Sequence, residues 1–188
     1  MLDAEHEAAG RITRDYELDI RVPASFPDNP PIVYEVSGQI PRTPDFHVNG
    51  DNTLCLGSPL SLRRTLKRWP DVCEFMARTL RPHLYAVTVK LDNGRDFVFG
   101  ELRHGTAGQL QDLADDLRLP ESLVTNAIDL MLMPLNEADA QPCICGCGGM
   151  VSTCVLRDRL GEVRELLSTD SLRILRNDIQ ALLSAEQR

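Results

Sequence analysis

The sequence predicts an α+β fold in which antiparallel strands come first, helices flank them, and a helical extension follows. Residues 16–22 alternate apolar and polar side chains, which is typical of a strand with one buried face. Apolar residues recur at helical spacing from Asp71 onward, and four cysteines crowd into residues 143–154. The 188 residues, 43% of them hydrophobic, are enough for one core of about 120–150 residues and an appendage.

The first part of the chain predicts two strands joined by a stiff connection. Residues 16–22 form the first strand and residues 32–36 the second. Four prolines lie within residues 23–31, and because proline fixes φ and has no amide donor, neither a helix nor a central strand passes through this segment. Residues 41–62 show little periodicity, so we expect a long irregular segment of the kind that often carries function.

Helical patterns dominate the rest of the chain. Asp71 is the predicted N-cap of a helix of three or more turns. Further helices are predicted over residues 109–117 and 121–133, and over a C-terminal stretch that starts at Asp170-Ser171. One apolar face of that last helix consists of Leu172, Leu175, Ile179 and Leu182.

Other segments carry weaker patterns. Residues 85–102 favour a β-hairpin, because apolar side chains alternate on both sides of Asn93-Gly94, a hairpin-type turn. Residues 3–9 predict at most two turns of helix. We expect Cys73 to be a small buried hydrophobe beside the apolar face of its helix, and Trp69 to fill the core.

The charge balance argues against nucleic-acid binding. With 28 acidic and 20 basic residues the net charge is −8, so the overall field of the protein repels a phosphate backbone. No apolar run approaches the roughly 20 residues that a membrane helix needs, and no basic start followed by an apolar stretch marks an export signal. We therefore expect a cytoplasmic protein without nucleic-acid or membrane partners. Only Lys67 and Lys90 are lysines.

The cysteine cluster predicts a zinc site within the helical C-terminal extension. Without an export signal, crowded cysteines favour a metal over a disulfide framework. Four thiolates close a tetrahedral zinc site and leave no open position, which favours a structural role, and the intervening glycines let the backbone wrap close to the ion. The predicted ligands are Cys143, Cys145, Cys147 and Cys154.

Two alternatives for the cluster stay open at this point: His104 as a ligand from a distant part of the chain, or reduced cysteines without metal. The spacing C-x-C-G-x-G, with a further cysteine nine residues after the second, resembles the small SEC-C zinc motif. The last ligand of that motif would fall at Val155, so the resemblance leaves the fourth sulfur to Cys147.

A second set of candidate residues lies in the irregular segment. Cys55 could accept an acyl group, because sulfur is strongly nucleophilic even when only a few per cent is thiolate. Asn49 could donate its side-chain amide to the oxyanion that forms when an amine attacks the thioester. His47 is either the general base or a hydrogen-bonding residue that holds the loop.

Residues 10–85 resemble the core of the ubiquitin-conjugating (UBC) enzymes. That family has a strand, a Y/F-P-x-x-P-P connection, a second strand, a His-Pro-Asn tripeptide, an acceptor cysteine flanked by Ile/Leu and Leu, and a tryptophan before a helix. The matching elements here, in order, are residues 16–22, Phe26-Pro27 with Pro30-Pro31, residues 32–36, His47-Val48-Asn49, Leu54-Cys55-Leu56 and Trp69-Pro70.

The resemblance implies a UBC-like antiparallel β-meander flanked by helices. It also implies a cysteine thioester carrier: Cys55 takes the C-terminus of a ubiquitin-like modifier from an activating enzyme and passes it to an amine of a target protein. Asn49 would then stabilise the oxyanion and His47 would hold the loop. The expected domains are a conjugating core over residues 1–100, with an abbreviated N-terminus, and a helical extension over residues 101–188 that carries the cysteine motif.

The sequence departs from the family pattern at several points. Val48 replaces the proline of the tripeptide, and Asn49 is closer to the cysteine than is usual. Residues 99–105 and the cysteine cluster have no counterpart in eukaryotic members. These features suit the bacterial branch, whose members are encoded with a ubiquitin-like protein, an activating enzyme and a deconjugating peptidase, some of them in antiphage (antiviral) defence.

Two hypotheses of other classes remain. One is a non-catalytic variant that only binds a ubiquitin-like protein, although such variants usually lack the cysteine. The other is an adaptor in which the zinc-containing segment 143–154 is the working part.

Overall fold

A computed structural model of the chain describes residues 1–7, 9–94 and 96–186. It has the predicted α+β class, with small antiparallel sheets in the first half and helices throughout the second. The chain divides into two compact units, one spanning Met1–Glu101 and the other beginning at Leu102. No helix in the described ranges combines the length and the apolar character that crossing a membrane requires.

The N-terminal residues form a strand pair. β1 (Leu2–His6) runs antiparallel to β2 (Gly10–Arg14), with Ala4 opposite Ile12. The short helix predicted over residues 3–9 is therefore wrong. The reason is the two-residue period of burial, since Leu2 and Ala4 are buried while their neighbours are more exposed, which suits a strand and not a helix.

The two strands predicted next are confirmed with shorter bounds. β3 (Leu18–Arg21) pairs antiparallel with β4 (Ile32–Glu35), and Leu18 lies opposite Glu35. The proline-rich connection between them forms no strand or helix and contains one cis peptide, Phe26-Pro27. A third segment adds to these antiparallel contacts, because Tyr34 of β4 is bridged to Thr53.

Helices complete the first unit. A 3-10 turn covers Pro44–Phe46, and α1 (Pro59–Arg68) begins after its N-cap Ser58. α2 (Val72–Phe75) continues through a π-helical turn (Met76–Leu80) into α3 (Arg81–Asn93). The predicted N-cap Asp71 is confirmed, because its carboxylate accepts from the Glu74 N–H at 3.0 Å.

The hairpin favoured for residues 85–102 is wrong, because α3 occupies the first half of this range. Residues 84–89 are all buried, so this part of the helix is enclosed on every side. Because it has no polar face, the alternation of apolar residues here does not distinguish a strand from a helix. Gly94 ends the helix with φ of 62°, and its N–H donates to Lys90 O at 2.9 Å.

The second unit is helical. Its helices are α4 (Thr106–Leu117), α5 (Val124–Leu132), α6 (Leu135–Asp139), α7 (Leu156–Leu166) and α8 (Thr169–Glu186), with 3-10 turns at Glu121–Leu123 and Val151–Thr153. The helices predicted over 109–117 and 121–133 and at the C-terminal end are confirmed, the second with a 3-10 first turn. Leu172, Leu175 and Ile179 of α8 are buried as predicted. The start differs, because Ser168 Oγ and not Asp170 accepts from the Ser171 N–H, at 3.1 Å.

A buried carboxylate holds the turn that follows β4. Glu35 is 8% exposed and accepts hydrogen bonds from the Ser37 hydroxyl, from the Ser37 N–H at 2.9 Å and from the Gly38 N–H at 3.0 Å. Burial by itself raises the pKa of Glu35, but hydrogen bonds from the Ser37 side chain and from backbone N–H groups of residues 37–40 outweigh it, so the pKa is lowered.

This carboxylate makes stability depend on pH. Because the folded-state pKa of Glu35 is below its unfolded value, its contribution is complete above the unfolded value of about 4.3 and is lost as the pH falls through the folded-state pKa. We expect Glu35→Gln to lower the free energy of unfolding near neutral pH by about 1–3 kcal/mol, and the difference from the parent to shrink toward acid. Urea unfolding at several pH values measures this; a difference that does not vary with pH would contradict it.

Two glycines lie within helices of the second unit, and we expect replacement by alanine to change the free energy of unfolding in opposite directions at the two positions. A Cβ on Gly108 would lie 1.8 Å from the carbonyl oxygen of Arg103, whereas a Cβ on Gly161 of α7 meets no atom within 4 Å. We expect Gly108→Ala to destabilise the chain by about 3 kcal/mol through overpacking, and Gly161→Ala to stabilise it by roughly 0.5–1 kcal/mol through helix propensity. Thermal and urea unfolding of the full chain compare the two, and equal effects would contradict the close approach at Gly108.

Candidate functional site

Cys55 ends a short antiparallel hairpin that is built from the predicted site residues. The Asn49 N–H donates to Thr53 O at 2.9 Å, Val48 is bridged to Leu54, and the Cys55 N–H donates to His47 O at 2.7 Å. The hairpin is joined to the sheet, because the Leu54 N–H donates to Val33 O of β4 at 2.8 Å. The backbone thus brings His47, Asn49 and Cys55 together.

The two faces of this hairpin differ. Val48 and Leu54 are 5% and 6% exposed and belong to the core of the first unit. Since side chains alternate between faces along a strand, Asn49, Thr53 and Cys55 share the opposite face. Asn49 is exposed and Cys55 is half-buried, so this face is open to a reactant.

Asn49 is held in place by a chain of hydrogen bonds. Its Nδ2 donates to Thr53 Oγ1 at 2.8 Å, and the Thr53 hydroxyl donates to Asp51 Oδ1 at 2.7 Å. The Thr53 hydroxyl, followed by the Thr53 N–H, lowers the pKa of Asp51 and keeps its carboxylate as the acceptor. An amide nitrogen has two N–H donors, so the contact with Thr53 uses one of them.

His47 is turned toward the end of the first unit. Its Nε2 is 3.1 Å from Glu101 Oε1, and its ring contacts Phe97 edge-on with centroids 4.5 Å apart. The imidazole side chain is only 14% exposed. The backbone of His47 has φ of 52° and ψ of 44°, so the residue makes a left-handed turn into the hairpin. These contacts favour the interpretation of His47 as a residue that holds the loop.

Lys90 lies in the same place. Its ammonium is 2.9 Å from Asp45 and 4.0 Å from Glu101, it approaches the rings of Phe46 and Phe97 at 5.4 and 5.0 Å, and its side chain is 11% exposed. This ammonium lies beside two carboxylates and two aromatic faces, which are the partners that a partly buried cation requires. The loop before Cys55 is therefore tied to α3 through Asp45 as well as to Glu101 through His47.

The chain leaves Cys55 directly into a helix. Leu56 packs on the core, and Ser58 caps α1 by accepting from the Ser61 N–H at 3.0 Å. Gly57 between them lies so close to α1 that a Cβ would be 2.9 Å from Ser61 Oγ. Cys55 is therefore fixed on one side by the hairpin and on the other by the first turn of α1.

Sequence reasoning missed part of this site. For Asp51 the sequence favours a turn-forming role at least as much as a role in positioning an incoming lysine, and it does not single out Thr53 or Glu101. An Asp two residues before a Thr is a known turn pattern, and it is the sequence signal for the contact between Asp51 and Thr53. No sequence signal links Glu101 to His47. Cys73 is exposed, so its predicted burial is wrong. It faces away from the core because Phe75 and Leu80 take the buried positions of this helical segment.

The four predicted zinc ligands come together in the second unit. The sulfurs of Cys143, Cys145, Cys147 and Cys154 all lie within 4.8 Å of one another. A tetrahedral site with Zn–S bonds of about 2.3 Å has its sulfurs about 3.8 Å apart, so the donor set fits a metal ion of this kind. Two sulfur pairs are 3.2 and 3.5 Å apart, which is too long for a disulfide of about 2.05 Å, and all four thiols are free.

Backbone contacts close the cysteine loop. Pro142 is bridged to Met150, and the Cys143 N–H donates to Gly149 O at 2.8 Å. Gly146 and Gly148 take φ angles of 85° and 75°, which place Cys145 and Cys147 on a tight turn. Within the described residues the potential ligand group comprises the four cysteines alone, so His104 is not part of it.

The thiols of the cluster have different electrostatic surroundings. The Leu156 N–H donates to Cys154 Sγ, and together with the Cys143 and Cys145 thiols it lowers the pKa of Cys154 to about 7. Burial raises the pKa of Cys143 to about 12. The thiolate is the form that binds metal, and the Leu156 N–H stabilises it.

Comparison with known proteins gives no match to a protein-family model, a curated protein or a solved structure.

Metal binding by the cluster is directly testable. We expect the full chain to bind one zinc ion, and Cys145→Ser and Cys147→Ser each to weaken binding by tenfold or more, because a sulfur ligand is lost. Cys73→Ser, which removes an exposed thiol outside the cluster, is the control and should bind normally. Native mass spectrometry and the absorption of the cobalt-substituted protein measure this; binding that survives loss of a cluster cysteine, or that depends on Cys73, would contradict the site.

Proposed function

We propose that this protein is a conjugating enzyme for a ubiquitin-like modifier, with a UBC-like core and a zinc-stabilised helical extension. The observation that carries the proposal is the hairpin that presents Asn49 and Cys55 on one face, with the buried pair Val48 and Leu54 beneath them. A nucleophile and an oxyanion donor are the two groups that acyl transfer through a thioester needs.

In the first step Cys55 takes the modifier from the activating enzyme. The Cys55 thiolate attacks the carbonyl carbon of the modifier's thioester, a new C–S bond forms, and the bond to the activating enzyme's sulfur breaks. The leaving thiolate takes the electron pair, so one thioester replaces another and nothing is oxidised or reduced. Half-burial of Cys55 leaves its sulfur reachable by a flexible C-terminus.

In the second step an amine of the target attacks the Cys55 thioester. The carbonyl oxygen gains negative charge, the amine loses a proton to solvent, and the C–S bond then breaks to release the Cys55 thiolate and an amide. Asn49 is suited to stabilise the oxyanion because the hydrogen bond to Thr53, itself fixed by Asp51, orients its side-chain amide before the reaction.

His47 is proposed as a positioning residue. Its Nε2 faces Glu101 and its ring packs on Phe97, so it fixes the start of the hairpin that carries Asn49 and Cys55. The zinc ion, when bound by the four cysteines, would stabilise the loop before α7 and take no part in the transfer, since four sulfur ligands leave no open coordination position.

The proposed partners are a ubiquitin-like modifier, its activating enzyme and a target protein. The family resemblance places such proteins in bacterial operons, some of which act in antiphage defence.

Thioester formation tests the role of Cys55. With an active modifier, its activating enzyme and ATP, we expect an adduct that reductant releases, and none with Cys55→Ala, because the acceptor sulfur is gone. Cys73→Ala removes the other thiol of the first unit, which is exposed, and should form the adduct normally. Non-reducing gels and intact mass measure the adduct. No adduct with partners of demonstrated activity would overturn the proposal and favour a binding module.

The role of Asn49 is tested by discharge of the thioester. We expect Asn49→Asp, which removes the N–H donor at constant size, to slow transfer to a free amine by about 10²–10³-fold while the thioester still forms. Thr53→Ser keeps the hydroxyl that orients Asn49 and should discharge at nearly the parental rate. Single-turnover discharge measures both variants; normal discharge by Asn49→Asp would assign Asn49 to the hairpin structure alone.

A further inference from the structure

Positive charge is concentrated in one segment of an otherwise acidic chain. Residues 58–81 carry six of the 20 basic residues and only two of the 28 acidic ones. The rest of the chain therefore holds 14 basic and 26 acidic residues. The six basic residues are Arg63, Arg64, Lys67, Arg68, Arg78 and Arg81.

Four of these residues lie on α1. At 3.6 residues per turn, positions 63, 64, 67 and 68 fall within an arc of about 140° around the helix axis. The buried residue Leu66 lies outside this arc, whereas the buried Leu60 lies within it on the first turn, so the arc is open to solvent only toward the C-terminal end of the helix. Lys67 and Arg68 at the C-terminal end of α1 are exposed.

The tryptophan after α1 organises two of the arginines. The guanidinium carbon of Arg68 lies 4.8 Å from the centroid of the Trp69 ring and that of Arg78 lies 3.7 Å from it. Arg78 is also held by Glu74 at 2.6 Å. Trp69 is half-buried, so the prediction that it fills the core is wrong; its ring supports two cations at the surface instead.

We propose that Lys67, Arg68, Trp69 and Arg78 form a docking surface, called here the α1 basic surface, for an acidic segment of a partner protein. Two guanidinium groups fixed on an aromatic ring are preorganised to bind carboxylates, because little side-chain freedom is lost on binding. This inference goes beyond the proposed function, and its test needs no thioester chemistry.

The size of the surface favours a protein segment over nucleic acid. The net positive charge of residues 58–81 is only four, and the remainder of the chain has a net charge of −12. A long phosphate backbone that reached this surface would also run along repelling regions, whereas a short acidic segment would span only the surface itself, where the cations outnumber the Glu74 carboxylate. Charge complementarity of this kind raises association rates and selects partners.

The single tryptophan of the chain reports binding at this surface. Titration of the full chain with an oligoglutamate peptide should change Trp69 fluorescence, and the anisotropy of a labelled peptide gives an independent affinity. We expect the double variant Arg68→Gln/Arg78→Gln to bind about tenfold more weakly, and binding to weaken as salt is raised. Arg173→Gln, which removes an exposed, ion-paired arginine of α8, is the matched control and should bind as the parent does.

Three results would overturn the proposal. They are no binding of the peptide, equal weakening by Arg173→Gln, and tighter binding of an oligonucleotide of equal charge, which would assign the surface to nucleic acid. Unchanged urea unfolding of the double variant establishes that any loss reflects the surface and not the fold. Because Cys55→Ala should bind the peptide normally, a failure of the docking proposal and a failure of thioester transfer remain distinguishable.

Discussion

The pairing of Val48 with Leu54 is the contact on which the geometry around Cys55 depends. Both side chains are buried, and a strand that shifted by one residue would move them to the surface and turn Asn49 and Cys55 into the core. Burial of two aliphatic side chains contributes roughly 3–6 kcal/mol, which is large compared with one hydrogen bond. The hydrophobic core of the first unit thus selects the register, and the register decides which polar side chains face a reactant.

Secondary contacts make this arrangement stiff. The hydrogen bonds from Asn49 to Thr53 and from Thr53 to Asp51 run along the exposed face, while His47 and Asp45 connect the preceding loop to Glu101 and Lys90. Each is worth little alone, because they lie at or near the surface. Together they restrict the rotamers of the residues beside Cys55, which is the property that a site for acyl transfer needs.

Local chemistry made much of the fold predictable. Asp71 as an N-cap, the proline-rich connection and the apolar face of α8 follow from rules that involve a few neighbouring residues, and each is present in the structure. The errors arose where tertiary packing decides. Residues 84–89 of α3 are buried on all sides, so their periodicity carries no information, and Leu2–His6 pairs as a strand because β2 is available to it. Cys143 to Cys154 cluster as predicted, since their spacing in the chain already limits how far apart they can lie. The contact between His47 and Glu101 joins residues 54 positions apart, and no local pattern announces it.

The distribution of amines has a consequence for chemical labelling of this protein. Of its two lysines, Lys90 holds its ammonium between carboxylates and aromatic rings at 11% exposure, whereas Lys67 is exposed at the end of α1. Among the lysine ε-amino groups, reagents that acylate amines therefore meet only Lys67 as an exposed target. A crosslinker of this chemistry would act as a site-specific probe of the α1 basic surface without any engineered attachment point.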